Sequence, residues 1–324
     1  VGDTTRDTIS TWSASDGTYK LSLMGDTYTL TTTAYGYYTH TQTGVTIQPG
    51  ELMTHNIPLT PLPTTVVSGT VRDGSGQNWP LYARIAIAPP WDGAPFHDGV
   101  YFTHPVSGTY AVTLPIGLPF TFTVHAVGEG YQPVTRVITP TPPTLKSNNT
   151  EHFTLTVDLT TCNGQEGYRA PGYTDTCTPI ERGGLIVGNA YNANTGKGVN
   201  NAFITSLDYP TDTTITWATP DDPTVDDGFY ILFSSLTSTH RLEASAPYML
   251  TDTQLITIPL QQQEVSVKDF TLRAPTIDVV SEGLDVILTP GYTTARELTI
   301  ANQGSADLHW ELKETRPYLY QNGP

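Results

Sequence analysis

Cys162 and Cys177 are the only two cysteines in the chain, and they sit close together in a segment rich in Gly, Pro and Tyr. Two chemistries compete for such a pair. A zinc site wants four ligands in tetrahedral array, with recognisable spacing such as Cys-x-x-Cys, and no His-x-Cys or Cys-x-x-Cys lies nearby. A local disulfide, formed in an oxidising compartment, is the better fit. It would close a loop of about 15 residues, worth roughly 3 kcal/mol in the chain-entropy model.

Oxygen chemistry is offered by Asp221, Asp222, Asp226 and Asp227, just ahead of Gly228. Calcium takes carboxylate and carbonyl oxygens from loops of this kind, which makes these four weak calcium candidates. Their spacing is not that of an EF-hand, and a solvated acidic turn explains the same residues. Aromatic chemistry is offered by the segment Pro89 to His97, which carries Trp91 and Phe96, with Trp79 and Tyr82 upstream. Exposed rings on a loop can stack on a sugar, so Trp79, Trp91 and Phe96 are candidate glycan contacts. The plainer expectation is that Trp91 and Phe96 cap the module's own core or a seam between modules. Lys20 and Lys268 fall in expected strands, but no motif supports an isopeptide bond to Asn. Asn148-Asn149-Thr150 is an N-glycosylation sequon at Asn148. No Gly-x-Ser-x-Gly elbow, zinc helix, phosphate loop or dinucleotide fingerprint occurs, and the eight histidines are scattered. The chain is therefore expected to be non-catalytic and to need no cofactor.

What must carry these residues is an all-β scaffold. Threonine is the commonest residue, at about one in six, while helix-forming runs are nearly absent. Thr, Val, Ile, Tyr and Phe suit a pleated, half-buried surface, and 28 Gly and 26 Pro supply turns. With 15 cationic against 31 acidic residues the net charge is −16. That balance disfavours nucleic acid and anionic membrane surfaces, both of which need clustered cations, and favours solubility. No stretch reaches the ~20 apolar residues of a membrane helix. With no initiator Met and no leader, the chain reads as a mature or excised segment.

Internal repetition sets the expected architecture. One pattern occurs three times: Asp16-Gly17-Thr18-Tyr19, Ser107-Gly108-Thr109-Tyr110 and Asp227-Gly228-Phe229-Tyr230. Each is followed by a strand (Tyr28-Thr29-Leu30, Phe120 to Val124, Arg241 to Ala244) and a tyrosine corner (Ala34 to Tyr37, Gly130-Tyr131, Pro247-Tyr248). Each closes on an alternating strand: His55 to Leu59, Phe153 to Val157 and Val265 to Leu272. The second and third copies also open on a glycine-bearing strand, Val67 to Val71 and Leu185 to Ala190, and continue into Ala83 to Ala88 and Ala202 to Ser206. Projected back from Gly17, the first copy's opening strand falls before residue 1. Beyond Thr276 a different pattern begins, with strands expected at 277–279, 284–288, 297–302 and 308–312.

The order Gly-Thr-Val, apolar strand, Asp-Gly-Thr-Tyr, Gly-Tyr and closing strand resembles the carboxypeptidase regulatory-like domain. That resemblance implies a transthyretin-like, seven-stranded sandwich and says little of function. The tail from Leu298 to Trp310 is similar to the start of a bacterial immunoglobulin-like sandwich. The run Ala170-Pro171-Gly172-Tyr173 before Cys177 is similar to connectors in exported subtilisin-like proteases, in which such modules follow the peptidase.

The expected fold is thus an all-β tandem array of small antiparallel β-sandwiches with incomplete first and last modules. The expected boundaries are 1–62 (truncated regulatory-like), 63–158 (regulatory-like), 159–183 (Cys-bearing linker), 184–273 (regulatory-like) and 274–324 (partial immunoglobulin-like). The expected function is a secreted or cell-surface bacterial stalk or filament subunit. Its expected partners are further copies of itself or the flanking domains of a longer chain. The alternatives are an accessory region of a secreted subtilisin-like protease and a carbohydrate-binding module using the Trp91 loop.

Overall fold

A computed structural model describes residues 8–89, 99–128, 130–143, 149–160, 170–173, 178–179, 183–258, 265–280, 286–287, 289, 291–311 and 313. All regular structure among them is β, in nineteen strands. The fold is therefore all-β, and it is built from small, largely antiparallel sheets.

The second copy of the repeat forms a two-layer sandwich. Its strands are β3 (Thr64–Asp73), β4 (Ala83–Ala88), β5 (Val100–Phe102), β6 (Thr109–Pro115), β7 (Phe120–Ala126), β8 (Val134–Ile138) and β9 (Phe153–Leu155). One sheet has the order β6-β3-β9 and the other β5-β4-β7-β8. Strict alternation drives the layering, because successive side chains point to opposite faces. Val67, Val71, Ile85, Val112, Leu114, Phe122, Val124, Phe153 and Leu155 face inward and form one core.

The third copy repeats this plan. Its strands are β10 (Gly184–Asn192), β11 (Phe203–Ser206), β12 (Thr213–Ile215), β13 (Phe229–Ser234), β14 (Thr239–Ser245), β15 (Asp252–Thr257), β16 (Val265–Val267) and β17 (Phe270–Leu272). One sheet runs β13-β10 with β16 and β17 along β10's other edge, and the second runs β12-β11-β14-β15. In both modules the opening strand lies at the centre, antiparallel to one neighbour and parallel to the closing strand.

Among the described residues of the first copy one hairpin forms, β1 (Asp26–Thr32) with β2 (His40–Ile47), corresponding to β7 and β8 of the second. The expected closing strand at 55–59 pairs with nothing, and residues 18–24 likewise form no ladder. A strand is defined by its hydrogen-bonded neighbour, and here no described residue supplies one. Among the described residues past 276, β18 (Ile277–Val280) and β19 (Thr299–Asn302) are the strands that pair. The expected strand at 308–312 is absent over its described residues. The single strand expected from Val265 to Leu272 is broken at Lys268 and Asp269 into β16 and β17.

The joints between modules differ in kind. Tyr35, from the first module's corner, packs edge-on against Phe120 of the second module's core, with ring centroids 6.4 Å apart. The third and fourth are joined by polar contacts. Asn194 Nδ2 donates to the Ala274 carbonyl and to Thr276 Oγ1, and its Oδ1 accepts from the Ser305 amide. The joint between the second and third is apolar and is described below.

Threonines meet across the exposed faces, as in Thr27 with Thr46, Thr205 with Thr213 and Thr239 with Thr257 at 2.7–3.0 Å. Such cross-strand hydroxyl pairs help fix register.

Candidate functional site

Two constellations stand out, a tyrosine clamp built into every copy of the repeat and an aromatic seam between two of them.

The clamp begins with the tyrosine of the Gly-x-Tyr turn. Tyr110 donates its hydroxyl to the Glu151 carbonyl at 2.8 Å, and Tyr230 donates to the Lys268 carbonyl at 2.7 Å. In each case the side chain crosses the opening strand at a glycine that pairs directly with the tyrosine, Gly69 with Tyr110 and Gly188 with Tyr230. An added Cβ at Gly69 would collide with the Glu151 carbonyl oxygen, and one at Gly188 with the Lys268 carbonyl oxygen. Tyrosine, glycine and carbonyl are therefore one steric unit. The first copy has the same tyrosine and carbonyl, with Tyr19 donating to His55 at 2.9 Å. The sequence pattern contained these residues but gave no sign that a carbonyl 36 to 41 positions away completes the unit.

Burial pushes the phenols of Tyr110 and Tyr230 well above their usual range. The unfolded chain, with tyrosines near 10, then loses these protons first. Stability present below pH 10 is lost as pH rises beyond it. The part of the tyrosinate absorbance that belongs to these two buried phenols should therefore appear together with the change in circular dichroism, above pH 10. In Tyr110→Phe and Tyr230→Phe the alkaline slope should flatten, because the phenol responsible is gone.

The seam is formed where Tyr82 of the second module meets Val187 and Phe229 of the third, all buried, with Phe102, Val106, Val127, Trp217, Ile231 and Val265 around them. Tyr82 lies 5.7 Å from Phe102 and 5.2 Å from Phe229, and Trp217 meets Phe229 edge-on at 5.6 Å. Trp79 packs at 5.1 Å on Phe233. Its loop is shaped by buried Asp73, whose Oδ2 accepts from Ser75 Oγ and the Asn78 amide; burial raises that carboxyl above the usual range. A polar bond crosses the apolar seam: Tyr82 donates to Asp222 Oδ2 at 2.8 Å, and burial together with that bond raises the phenol.

The seam explains a feature of the sequence. β3 alternates, leaving Val66 half-exposed, whereas β10 reads Leu185-Ile186-Val187 and is buried on both faces. A continuous apolar run marks a strand covered on both sides. The third module's outer sheet face is covered by the second module.

The candidate site residues take separate positions. Trp79 is fully buried, so it has no face for a sugar and serves the seam instead. Trp91 and Phe96 lie outside the described residues. Of the acidic four, Asp222 is buried, accepting from Tyr82 and from the Thr224 amide and hydroxyl. Asp227 accepts from the Thr219 amide, Asp226 from the Tyr191 hydroxyl, and Asp221 is exposed. These carboxylates organise a turn, and among the described residues no three His, Cys, Asp or Glu side chains converge as a metal site would require. Cys162, Cys177 and Asn148 lie outside the described residues. Between the cysteines, Ala170 and Tyr173 pack with Val157 and Tyr131, which anchors part of the connector to the second module. Ser234 and His240 approach at 3.2 Å but are both buried, giving a substrate no access.

Neither a protein-family model nor a curated protein sequence matches the chain. Among solved structures, the Bacillus anthracis TIE protein aligns at 12% identity and a TM-score of 0.24, over 73% of this chain and 39% of its own. This chain thus spans well under half the length of that protein. A shaft pilin from Lactobacillus rhamnosus GG aligns at 12% identity and a TM-score of 0.21, over 66% and 98% of the two chains. A streptococcal ancillary pilin aligns at 12% identity and a TM-score of 0.22, over 78% and 76%. At such values, function must be argued from this chain's own residues.

Proposed function

We propose that the chain is a non-catalytic structural segment, a stalk of regulatory-like β-sandwich modules secreted or displayed at a bacterial surface. The observation that carries this reading is the seam. Tyr82, Phe229, Val187 and Trp79 are buried between modules, and such burial costs free energy to undo, so two sandwiches act as one stiff unit. A spacer needs that property. The acidic balance keeps such a row soluble. Modules assemble head to tail by strand complementation, and a disulfide between Cys162 and Cys177 closes the connector.

Small-angle scattering of the intact chain, combined with electron microscopy, tests the stalk. An elongated particle with a fixed distance between the second and third modules is expected. A distribution of distances broad enough to require a free hinge at the seam would overturn the reading.

A further inference from the structure

A groove of about 430 Å³ opens beside the seam, between the outer face of β3 and β6 in the second module and Val265 of the third. That volume falls within the roughly 300–1,000 Å³ of small-ligand sites. Thr70, Arg72 and Thr109 form a polar wall, and Pro80, Val106 and Val265 an apolar one. The first and fourth modules are joined elsewhere. Tyr35 packs at Phe120, at the opposite end of the second sandwich from Tyr82. Asn194 holds the fourth module past the end of β10, whereas Val265 pairs with Leu185 near its start.

The third module shows the same place closed. Asn189 and Tyr191 follow the clamp glycine as Thr70 and Arg72 do, and Asp226 and Asp227 precede the turn glycine as Val106 and Ser107 do. There Asn189 Nδ2 donates to the carbonyls of both aspartates, and Tyr191 donates its hydroxyl to Asp226 Oδ2 at 3.2 Å. Among the described residues the second module has no such bridge. The Thr70 hydroxyl lies 2.8 Å from His152 Nδ1, and Arg72 Nη1 donates to the Asn78 carbonyl at 3.0 Å. One fold thus leaves open in one copy a gap that it fills in the other.

The lining selects the ligand. Among the described residues Arg72 forms no ion pair, unlike Arg136 with Glu151 or Arg241 with Asp208. With Nη1 held by the Asn78 carbonyl, the rest of its planar fork is left for a carboxylate, which it matches with two bonds. Ser107 Oγ and Thr109 Oγ1 lie 2.8 Å apart, and that one bond leaves both hydroxyls capacity for a further partner. A cation such as calcium wants carboxylates, and the described lining has none. A peptide added as a strand wants a free edge, and β3 is bonded along both of its edges. We propose that this groove binds an acidic sugar. Its carboxylate lies on Arg72, its hydroxyls on Ser107 and Thr109, and the apolar face of its ring against Pro80, Val106 and Val265. The site goes beyond the stalk reading: it gives the joint between two modules a ligand of its own. A chain of net charge −16 does not gather anions in general, so a retained one reports this groove.

The test is isothermal titration calorimetry of the intact chain with the disaccharides of galacturonate and of glucuronate, and with the methyl esters of each. Saturable one-to-one binding of an acid is expected, about tenfold or more tighter than its neutral ester. Arg72→Leu should bring acid and ester level, and Arg72→Lys should restore part of the difference. Arg84→Leu, on β4 and outside the groove, should bind as the native chain does. Ser107→Tyr leaves Arg72 in place but fills the groove, and should abolish binding of acid and ester alike with the melting unchanged. It decides the matter if Arg72→Leu melts early. No saturable binding of either acid, equal binding of acid and ester by the native chain, or undiminished binding by Ser107→Tyr would overturn the proposal. Tighter binding of an Asp-Glu dipeptide than of either acid would overturn its assignment to a sugar.

Discussion

Gly188→Ala should unfold the third module almost as effectively as Gly188→Val, because the first added carbon already occupies the space of the Lys268 carbonyl oxygen. That oxygen cannot simply move away. It accepts the Tyr230 hydroxyl, and it lies between two short parallel ladders, Leu185–Val187 with Val265–Val267 and Ala190–Asn192 with Phe270–Leu272. Overpacking costs about 1–3 kcal/mol, and a buried phenol left without its acceptor costs about 1–3 kcal/mol more. A total of about 4 kcal/mol is a large part of the roughly 5–15 kcal/mol that holds a domain together. For a module of this size the midpoint should fall by about 20 °C, seen in calorimetry as one transition moving away from the other. Gly196→Ala is the control: it also changes a glycine of the third module, at a turn with φ of +67° and no neighbour within 4 Å. It should cost about 1 kcal/mol through backbone strain alone. Gly188→Ala melting like the wild type would show that the clamp is not a steric unit.

Tyr82→Ala should uncouple the second and third modules. The ring contacts Phe102 and Phe229, and the hydroxyl satisfies a buried carboxylate. Truncating a buried aromatic costs about 3–5 kcal/mol, here removed from the joint rather than from either core. Both module cores keep their own residues, so each sandwich should still fold. Expected are two separated melting transitions in place of a coupled one, and a broadened inter-module distance distribution by double electron spin labelling. Tyr82→Phe keeps the ring and leaves Asp222 with Thr224 as its donor, for a smaller loss of about 1–3 kcal/mol. The ratio of the two effects separates packing from the hydrogen bond. Unchanged coupling in Tyr82→Ala would remove the main support for a stiff stalk.

The repeat was legible in the sequence because its turn residues recur at nearly fixed distances, and Gly17, Gly108 and Gly228 all adopt the positive φ their turns demand. Alternation located β3, β4, β6, β7, β13 and β14, where one face of each is buried. Where no described neighbour lies alongside, alternation did not become a strand: His55 to Leu59 has the pattern of one and no ladder partner among the described residues. Periodicity reports which face a residue prefers, not whether a second strand is present to pair with. The seam was half legible. Trp79 and Tyr82 were singled out as aromatics, but the sequence could not decide between a sugar face and a protein face, since both ask for an apolar ring. The double-sided run Leu185-Ile186-Val187 was the available sign of a covered sheet. In the acidic turn two readings stood side by side because Asp serves turns and metals through the same oxygens; its carboxylates accept from Thr219, Thr224, Tyr82 and Tyr191.

One feature of the topology bears on mechanical load. In each complete module the first strand and the last are parallel neighbours, β3 with β9 and β10 with β16 and β17. The chain therefore enters at one end of the sandwich and leaves at the other. A pull along the chain draws these two strands in opposite directions along their length. Every hydrogen bond of the ladder is then loaded at once, in shear, instead of being peeled open one after another. Rupture under tension would have to break the β3–β9 ladder and the Tyr110 clamp across it in a single event, which suits a molecule that holds two things together against force.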